Sequence, residues 1–408
     1  EHVEGYSNPL WTLLLSFFYL LKVPPFFMAK LLGGLLGAIT LFFVYGITRA
    51  CRPEKEDHVA LLPPILLAGS TTFVIWNASG LENSLFNLLL AAGLYRTIRE
   101  GQQASSLPLS ALCFFGLAIT RPEGIVYAAI AGFFRLIMAI QAKRVVKPIL
   151  AWLAVFWIPF LTYQLWRYNY FGWLWPNTYY AKLDGEDRFK PFRLSGRGWV
   201  YASKYMKAYW LIYLLPLYAV GLATITDIRR YFVLFLTGIG MMLFLWTGRE
   251  MPGWASSEHT AGHILLGIAA LIGLGFVAYQ TYQKRRATPQ WIFFLGALAL
   301  LLLSVAVLLP EELPKWWPAV RRYWDHTRVW FLLGSAATLG ILTLFHPGGL
   351  ARLMVLCIGC AAFFFVIYSG GDWMKQWRWF SLVSIPNFIL LGLGIGALAD
   401  AFPRRTAR

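Results

Sequence analysis

Long apolar runs separated by short polar loops are the main pattern of this chain. Most runs approach the ~20 residues that an α-helix needs to cross a membrane, without the two-residue alternation of a transmembrane β-strand. The fold class is therefore predicted to be an all-α polytopic membrane protein with about thirteen transmembrane helices. The predicted spans are 26–48, 60–76, 81–95, 107–120, 125–140, 148–168, 210–225, 231–246, 263–282, 291–309, 329–345, 351–368 and 382–401.

A shorter apolar helix is predicted at 9–21, before the first span. It is too short to cross a membrane, and Pro24 and Pro25 end it. We expect it to lie along the outer membrane face as a juxtamembrane helix. Asn8 suits its N-cap and Pro9 suits its first turn, while Trp11 is typical of an interfacial aromatic belt.

The charge of the loops predicts the orientation of the chain. One set of loops is short and rich in Lys and Arg, whereas the other is longer and carries Trp, Tyr, Pro and most of the acids. The basic loops are predicted to be cytoplasmic. The same pattern divides the chain into an N-terminal transmembrane module (1–168), an outer loop (169–208) and a C-terminal transmembrane module (209–408). An odd number of spans places Glu1 outside, so we expect a further span upstream of it.

Composition supports a membrane protein and narrows its partners. The chain is 58% hydrophobic and 13% charged, whereas soluble domains are about one quarter charged. Basic cytoplasmic loops explain the net charge of +17, so no nucleic-acid partner is predicted. Cys357 and Cys360 lie in an apolar run where helix packing explains small residues, and the histidines are scattered. No metal site or cofactor is assigned, and a divalent cation is left open.

Arg121 and Glu123 form the most compact candidate for chemistry. The sequence Thr-Arg-Pro-Glu-Gly places this pair between two apolar helices, at membrane depth. Ionisable groups there are costly, and they are either functional or paired with one another. Arg121 could therefore clamp a phosphate or a carboxylate, or the two side chains could neutralise each other.

Three polar residues near the outer ends of the first helices are further candidates. Asn8 has the helix-capping role as an alternative to substrate binding, and Glu82 could simply favour the N-terminus of the following helix. Glu4 stands beside a glycine, and no capping role explains it. The alternative is that these residues face one outer cavity.

The later outer loops add two more groups of candidates. Asn177, Tyr180 and Lys182 follow Pro176 in an aromatic-rich segment, where the lysine could hold a lipid phosphate while the rings contact a sugar. An aromatic belt explains the rings alone. Asp372 and Arg378 follow two glycines, which suit either a plain turn or close approach of the backbone to a ligand.

These motifs, taken in order, resemble a bacterial family of membrane glycosyltransferases. VEGYSNPLWTLLL, SGLEN, TRPEG, WPNTYYAK and GGDWM followed by an arginine are similar to segments of the mycobacterial terminal arabinofuranosyltransferases. The resemblance implies a GT-C fold and inverting transfer of a sugar from a polyprenyl-phosphate donor to a cell-envelope glycan, lipid or protein. It places the reaction on the extracytoplasmic face of the bacterial cytoplasmic membrane. The substrate-binding residues it implies are Asn8, Glu82, Arg121, Glu123, Asn177, Tyr180, Lys182, Asp372 and Arg378.

The chain departs from this family at its first residues. The catalytic acids of the family lie in an Asp-Asp-Ala-Tyr type motif of the first outer loop, ahead of the segment that matches 1–11. We therefore expect the N-terminus to be truncated and the catalytic base to lie upstream of Glu1. The alternatives are that another chain supplies the base or that the molecule is inactive. Glu4 and Asp372 are the candidates present in this sequence.

Two other classes of function are kept as alternatives. A transporter or flippase for a lipid-linked substrate should show two inverted halves and broken helices. A similar pattern around Glu250 and Asp372 is the only sign of repetition in the sequence, and both copies have one orientation. In a non-catalytic subunit of a membrane complex, the outer acids would contact protein instead of lining a cavity.

Overall fold

The computed structural model describes residues 2–53, 58–103, 107–143, 146–173, 176–177, 197–209, 348–372, 374 and 376–401. Every regular element within these ranges is a helix. They are α1 (Pro9–Leu20), α2 (Pro25–Cys51), a 3-10 helix (His58–Leu61), α3 (Leu62–Ala68), α4 (Thr71–Ala78), α5 (Asn83–Gln103), α6 (Leu109–Thr120), α7 (Gly124–Gln141), α8 (Val146–Phe171), α9 (Arg197–Ala208), α10 (Gly349–Tyr368) and α11 (Phe380–Ala401).

Five of the described helices are long and apolar enough to cross a membrane, which is consistent with a membrane protein. They are α2, α7, α8, α10 and the Phe380–Ala397 part of α11. The prediction of about thirteen spans is confirmed only for these helices. Five of the predicted spans lie outside the described residues, namely 210–225, 231–246, 263–282, 291–309 and 329–345.

The predicted span 60–76 is broken in the structure. His58–Ala68 and Thr71–Ala78 are bent by 62°. The break occurs at Ser70, whose backbone is extended (φ −76°, ψ 117°) between the end of α3 and the first turn of α4. Continuous apolar composition does not reveal this break, because the hydropathy of the segment stays high across it.

Two further predicted spans differ from the helices observed. The predicted span 81–95 continues to Gln103, so that α5 includes the charged residues Arg96, Arg99 and Glu100. The predicted span 107–120 becomes α6, which has only 12 residues. Both helices are surrounded by neighbours, since α5 packs on α2, α6 and α7, and α6 also packs on α8. Burial on many sides, and not contact with lipid, explains part of their apolar composition.

Small residues let α2 approach α4 closely. Gly33 and Gly37 are one turn apart on the buried face of α2, and both face Asn77. A Cβ atom added at Gly33 would overlap the carbonyl oxygen of Asn77, and one at Gly37 would lie 3.2 Å from the Asn77 Cβ. Small residues at this spacing are typical of close helix contacts in membranes.

The helix predicted at 9–21 is observed as α1, but its tryptophan is not part of a lipid-facing belt. Trp11 is only 3% exposed and packs with Ala29 and Leu85. Its indole Nε1 donates a hydrogen bond of 3.2 Å to the carbonyl oxygen of Gly80. The helix is thus fixed to the turn that precedes α5, while Leu13 and other apolar residues on its opposite face are exposed.

The helix termini that carry the candidate residues lie together in one compact unit. That unit includes the N-terminal helices and Leu350–Gly392. Trp76, at the end of α4, donates from Nε1 to the carbonyl oxygen of Gln376 at 2.7 Å, although the residues are 300 positions apart. The module boundaries at 168 and 208 stay predictions, although α8 extends past the first of them to Phe171.

Paired glycine variants test the contact between α2 and α4. Gly33→Ala should lower the free energy of unfolding by about 1–3 kcal/mol, because its methyl group overlaps the backbone of Asn77. Gly34→Ala is the matched control, since no atom lies within 4 Å of the position its Cβ would take. Thermal unfolding of both purified variants measures the difference, and equal melting temperatures would contradict the close packing.

Candidate functional site

Arg121 lies between two carboxylates at the centre of the candidate site. Its Nη1 donates to Oε1 of Glu82 at 2.7 Å, and its Nε donates to Oε1 of Glu123. Each of the three residues is less than one tenth exposed. The predicted pairing of Arg121 with Glu123 is therefore observed, and Glu82 joins it from a separate segment.

Local sequence explains why this charge group forms. Arg121 ends α6 with an extended backbone (φ −153°, ψ 141°), and Pro122 follows it at the turn. Gly124 begins α7, and a Cβ atom there would lie 2.6 Å from the carbonyl carbon of Leu117. Only a residue without a side chain allows α7 to start so close to α6. The tight turn holds Glu123 against Arg121.

Asn8 completes the hydrogen bonding of Glu82. Its Nδ2 donates to Oε2 of Glu82 at 3.1 Å, while Oε1 of Glu82 already binds Arg121. Asn8 occupies the N-cap position of α1 as predicted, but its side chain makes no capping hydrogen bond to the helix. The capping explanation for this asparagine is therefore wrong, because the amide is used to bind a carboxylate 74 positions away.

The surrounding charges keep Glu82 and Arg121 ionised. Burial alone would raise the pKa of Glu82, but Arg121, a backbone hydrogen bond, Arg378 and Asn8 outweigh it and lower the pKa below its ordinary value. Burial of Arg121 is likewise outweighed by Glu123 and Glu82, so its pKa is raised. Glu82 with both oxygens occupied acts as a support for Arg121 and not as a free base.

The second charged pair lies in the loop between α10 and α11. Oδ2 of Asp372 is 2.7 Å from Nε of Arg378, and Oδ1 of Asp372 accepts a hydrogen bond from the Met374 backbone N–H at 3.2 Å. Gln376 and Trp377 have positive φ angles of 63° and 58°. Such strain in residues other than glycine persists only where the surroundings enforce it, and it is concentrated at functional sites.

Helix α9 and aromatic stacking support this strained loop. The Tyr205 ring stacks on Phe380 with centroids 3.9 Å apart and planes 6° apart. Tyr201 packs on the same ring, and a Cβ atom at Gly371 would lie 2.6 Å from the Cγ of Tyr201. Burial and the charge of Asp372 raise the pKa of Tyr201, so its hydroxyl stays protonated beside the pair.

Both arginines border one small cavity, which we name the central cavity. Trp379 contacts the two guanidinium groups, with its ring centroid 4.3 Å from Cζ of Arg121 and 5.6 Å from Cζ of Arg378. Glu123 and Phe86 also line the space, which has a volume of about 20 Å³. This is enough for one water molecule or one hydroxyl group.

A second cavity, the lateral cavity, lies on the other side of the same turn. Pro122 lines it, whereas the flanking Arg121 and Glu123 line the central cavity. Within it both carboxylate oxygens of Glu4 accept from Nε of Arg167, at 3.1 and 2.8 Å. Glu4 is 1% exposed and Arg167 is 2% exposed, so this ion pair is almost completely buried.

Burial outweighs the ion pair in setting the protonation of Glu4. It raises the pKa of the Glu4 carboxyl above its ordinary value, although Arg167 acts in the opposite direction. Arg167 also donates from Nη1 to Oε1 of Gln164 at 2.9 Å. Glu4 is thus a poorly solvated carboxylate held against α8, apart from the Arg121 group.

The structure brings together six of the predicted residues and separates the others. The group around the central cavity contains Asn8, Glu82, Arg121, Glu123, Asp372 and Arg378. Glu4 belongs to the lateral cavity, and Asn177 follows Pro176, which lines that cavity. Tyr180, Lys182 and Glu1 lie outside the described residues.

Sequence reasoning missed the partner of Glu4 and the ring shared by the two arginines. Arg167 is a single arginine near the end of an apolar helix, and an isolated charge in such a helix is itself a sign of a site. Trp379 follows Arg378 directly and was hidden among the many aromatic residues of the outer loops. Tyr201 lies in the loop predicted at 169–208, with no motif around it.

The atoms that stay available for a ligand differ between the charged groups. Within the described ranges, the terminal nitrogens of Arg378 and the second carboxylate oxygen of Glu123 have no hydrogen-bond partner. Both oxygens of Glu82 accept hydrogen bonds, whereas Asp372 accepts one at Oδ1 and its Oδ2 forms an ion pair with Nε of Arg378 without a hydrogen bond. Arg378 and Glu123 are therefore the cation and the carboxylate best placed to meet a ligand in the central cavity.

Comparison with known proteins finds a distant relative of this chain. It is 27% identical over 256 residues to the terminal beta-(1->2)-arabinofuranosyltransferase of Mycobacterium tuberculosis. This similarity supports a glycosyltransferase. The match covers 56% of this chain and 37% of the relative, so the chain spans well under half of that protein's length. No family model and no solved structure matches the chain.

The described residues contain no group of three His, Cys, Asp or Glu side chains arranged for a metal ion. The acids of the central cavity are each paired with an arginine instead. The expectations for a cofactor and for a divalent cation stay open.

A Glu82→Gln variant tests the electrostatic role of this carboxylate. Because its pKa is lowered from 4.5 in the folded protein, its stabilising contribution is present above about pH 4.5 and is lost as the pH falls through the folded-state pKa. We expect the variant to unfold more easily at pH 7, by about 1–3 kcal/mol, and to lose less stability below pH 4.5 than the unmodified protein. Thermal unfolding between pH 3 and 7 measures both effects.

Glu4→Gln is the control with the opposite sign. The pKa of Glu4 is raised, so its protonated form favours folding, and that contribution is lost as the pH rises from 4.5 through the folded-state pKa. Glu4→Gln should therefore lose as much stability below pH 4.5 as the unmodified protein does, because Glu82 is still present. An unchanged acid limb in Glu82→Gln would show that Arg121 does not hold Glu82 ionised.

Proposed function

We propose that this protein is an inverting glycosyltransferase that uses a polyprenyl-phosphate-linked sugar as donor. The observation that carries the proposal is the meeting of a buried arginine, a half-buried arginine and a partly free carboxylate at one cavity, whose lining residues come from segments up to 298 positions apart. The distant similarity to an arabinofuranosyltransferase supports the reaction class. The apolar helices supply the bilayer surroundings that a lipid-linked donor needs.

Arg378 is the proposed ligand of the donor phosphate. Its Nε forms an ion pair with Asp372 at 2.7 Å, while no hydrogen bond to its terminal nitrogens is found among the described residues. Arg121 lies on the same Trp379 ring and adds a second positive charge, although two carboxylates already balance it. A fixed guanidinium stabilises the charge that develops on a departing phosphate without reorganising during the reaction.

Glu123 is the proposed base among the described residues. One of its oxygens binds Arg121 and the other is free to accept a hydrogen bond from an acceptor hydroxyl. The hydroxyl passes its proton to the carboxylate as its oxygen bonds to the anomeric carbon. The bond from that carbon to the phosphate oxygen breaks, and the electron pair leaves with the polyprenyl phosphate. A single displacement of this kind inverts the configuration.

The location and partners follow from the loops that carry these residues. The central cavity is bordered by the acid-containing loops that the charge pattern places outside, so we place the reaction on the extracytoplasmic face of the bacterial cytoplasmic membrane. The acceptor would be a cell-envelope glycan, lipid or protein. Asn177, Tyr180 and Lys182 are retained as candidate substrate contacts from the same side, with no nucleic acid involved.

A transporter of a lipid-linked substrate is the second candidate function. The bend of 62° between His58–Ala68 and Thr71–Ala78 favours it, since broken helices are typical of transporters. Under this alternative, the arginines would bind the same phosphate without cleaving any bond to it.

Transfer and translocation can be separated with one preparation. The purified protein in liposomes is given polyprenyl phosphate carrying radiolabelled arabinofuranose or a radiolabelled hexose, together with a short arabinan acceptor. A glycosyltransferase forms labelled glycan and releases polyprenyl phosphate. Movement of intact labelled lipid across the bilayer, without release of sugar, would support the transporter and contradict the enzyme.

Kinetic variants test the two residue assignments separately. Arg378→Ala should raise the KM for the lipid donor and lower kcat/KM by about 10²-fold, with Arg378→Lys retaining part of the activity. Glu123→Gln should lower kcat by about 10²-fold or more at a similar donor KM.

Lys204→Ala is the control for a change of charge alone, since Lys204 is an exposed cation on α9. It should leave both constants unchanged. An Arg378→Ala enzyme with the donor KM of the unmodified protein would remove Arg378 from the phosphate site.

A further inference from the structure

A row of neutral polar side chains leads from the central cavity into the helix bundle. Asn83 and Ser381 line the cavity, and Asn83 donates from Nδ2 to Oγ of Ser381 at 3.2 Å. Asn87 lies one turn further along α5, about 6 Å from Asn83. We name this row the polar seam, and it consists of Asn83, Ser84 and Asn87 on α5 with Ser381 and Ser384 on α11.

Several atoms of the polar seam are buried without a hydrogen-bond partner. Asn87 is 0% exposed, and neither its Oδ1 nor its Nδ2 has a partner. The same holds for Oδ1 of Asn83 and Oγ of Ser84. Buried polar groups are normally bonded, and an unpaired amide among apolar helices is costly. Asn83 lines the cavity and Asn87 lies one turn from it, so these two amides with unpaired atoms indicate a polar ligand at this place.

A proline adds a backbone acceptor to the same region. Pro386 lies inside α11 and has no N–H to donate to the carbonyl of Leu382, four residues earlier. Leu382 lines the central cavity beside Ser381. The Leu382 carbonyl therefore cannot accept the usual helical hydrogen bond from position 386.

Helix packing alone does not explain these residues. Polar side chains that join helices in membranes do so by hydrogen bonding across the contact, as Asn83 does with Ser381. Asn87 makes no such bond, and an apolar residue of equal size would fill its place at lower cost. The unpaired Asn87 amide thus destabilises the folded protein, and a ligand that bonds to it would remove this cost.

The chemistry of the seam matches hydroxyl groups. Amides, hydroxyls and a carbonyl supply both donors and acceptors without charge, which suits an alcohol and does not suit an ion. The central cavity has the volume of one water molecule or one hydroxyl group. Arg378, which lines the same cavity, supplies the positive charge that a phosphate needs.

We propose that the polar seam is a subsite that binds hydroxyl groups of the sugar carried by the lipid donor, with Asn87 as its inner hydrogen-bonding group. This proposal rests on the proposed function, because the phosphate at Arg378 places the sugar beside the seam. The seam then distinguishes a polyprenyl phosphate that carries a sugar from one that does not.

Binding to two lipids tests the subsite without requiring turnover. The full chain in nanodiscs is titrated by calorimetry with polyprenyl phosphate and with polyprenyl-phosphate arabinofuranose. Unmodified protein should bind the sugar-bearing lipid more tightly. Asn87→Leu should lose about tenfold in affinity for that lipid and keep its affinity for the sugar-free lipid. Its melting temperature without ligand should rise, because an unpaired buried amide has been removed.

Two further variants make the result decisive. Ser84→Ala removes one hydroxyl without filling space, and it should weaken binding of the sugar-bearing lipid alone. Thr97→Val is the matched control on α5, since Thr97 is equally buried but donates to the Gly93 carbonyl at 2.8 Å. It should leave both affinities unchanged.

The outcomes distinguish failure of the sugar subsite from failure of the proposed function. Equal binding of both lipids by the unmodified protein, or no selective loss in Asn87→Leu and Ser84→Ala, would overturn the subsite and leave the phosphate site standing. Failure of the unmodified protein to bind either lipid would overturn the proposed function and the ligand assigned to the seam with it.

Discussion

The pairing of Arg121 with two carboxylates is the constraint on which the rest of the site depends. A guanidinium buried among apolar helices must be balanced, since removing one partner of a buried ion pair costs about 3–5 kcal/mol. Glu123 balances it from the start of α7 and Glu82 from the start of α5, while Asn8 holds Glu82 from α1. One positive charge thus determines how four helix ends meet, and the two cavities lie on either side of the turn that carries it.

The second arginine is placed by backbone strain instead of by burial alone. Gln376 and Trp377 have left-handed backbone conformations that only a supported loop retains. The Trp76 indole N–H holds this loop by donating a hydrogen bond to the Gln376 carbonyl oxygen. Tyr201 and Tyr205 pack on Phe380 from the other side. Rigid support of this kind suits a group that must meet developing charge without moving. The polar seam supplies the neutral counterpart beneath the charged cavity.

The sequence predicted the helices and the pair Arg121–Glu123, because apolar run length and a spacing of two residues are local properties. It also placed Asn8 and Glu82 near one another. It gave the Asn8 side chain a capping role, because the position next to the helix is a local property, whereas the contact of its amide with Glu82 is not. The ion pair of Glu4 with Arg167 joins residues 163 positions apart, and no local pattern encodes such a partner. The break at Ser70 was missed because hydropathy measures composition and is insensitive to the direction of the chain.

The sequence positions of the buried ion pairs have a consequence for the insertion of the chain during synthesis. Glu82 precedes Arg121 in the chain, and Glu123 follows it by two residues. Arg167 is preceded by Glu4, and Arg378 by Asp372 from its own loop. In each of these pairs a carboxylate partner is synthesised before the arginine, so no arginine depends on a distant later segment for its counter-charge. The ribosome therefore delivers each of these arginines to the membrane after at least one of its carboxylate partners has been made.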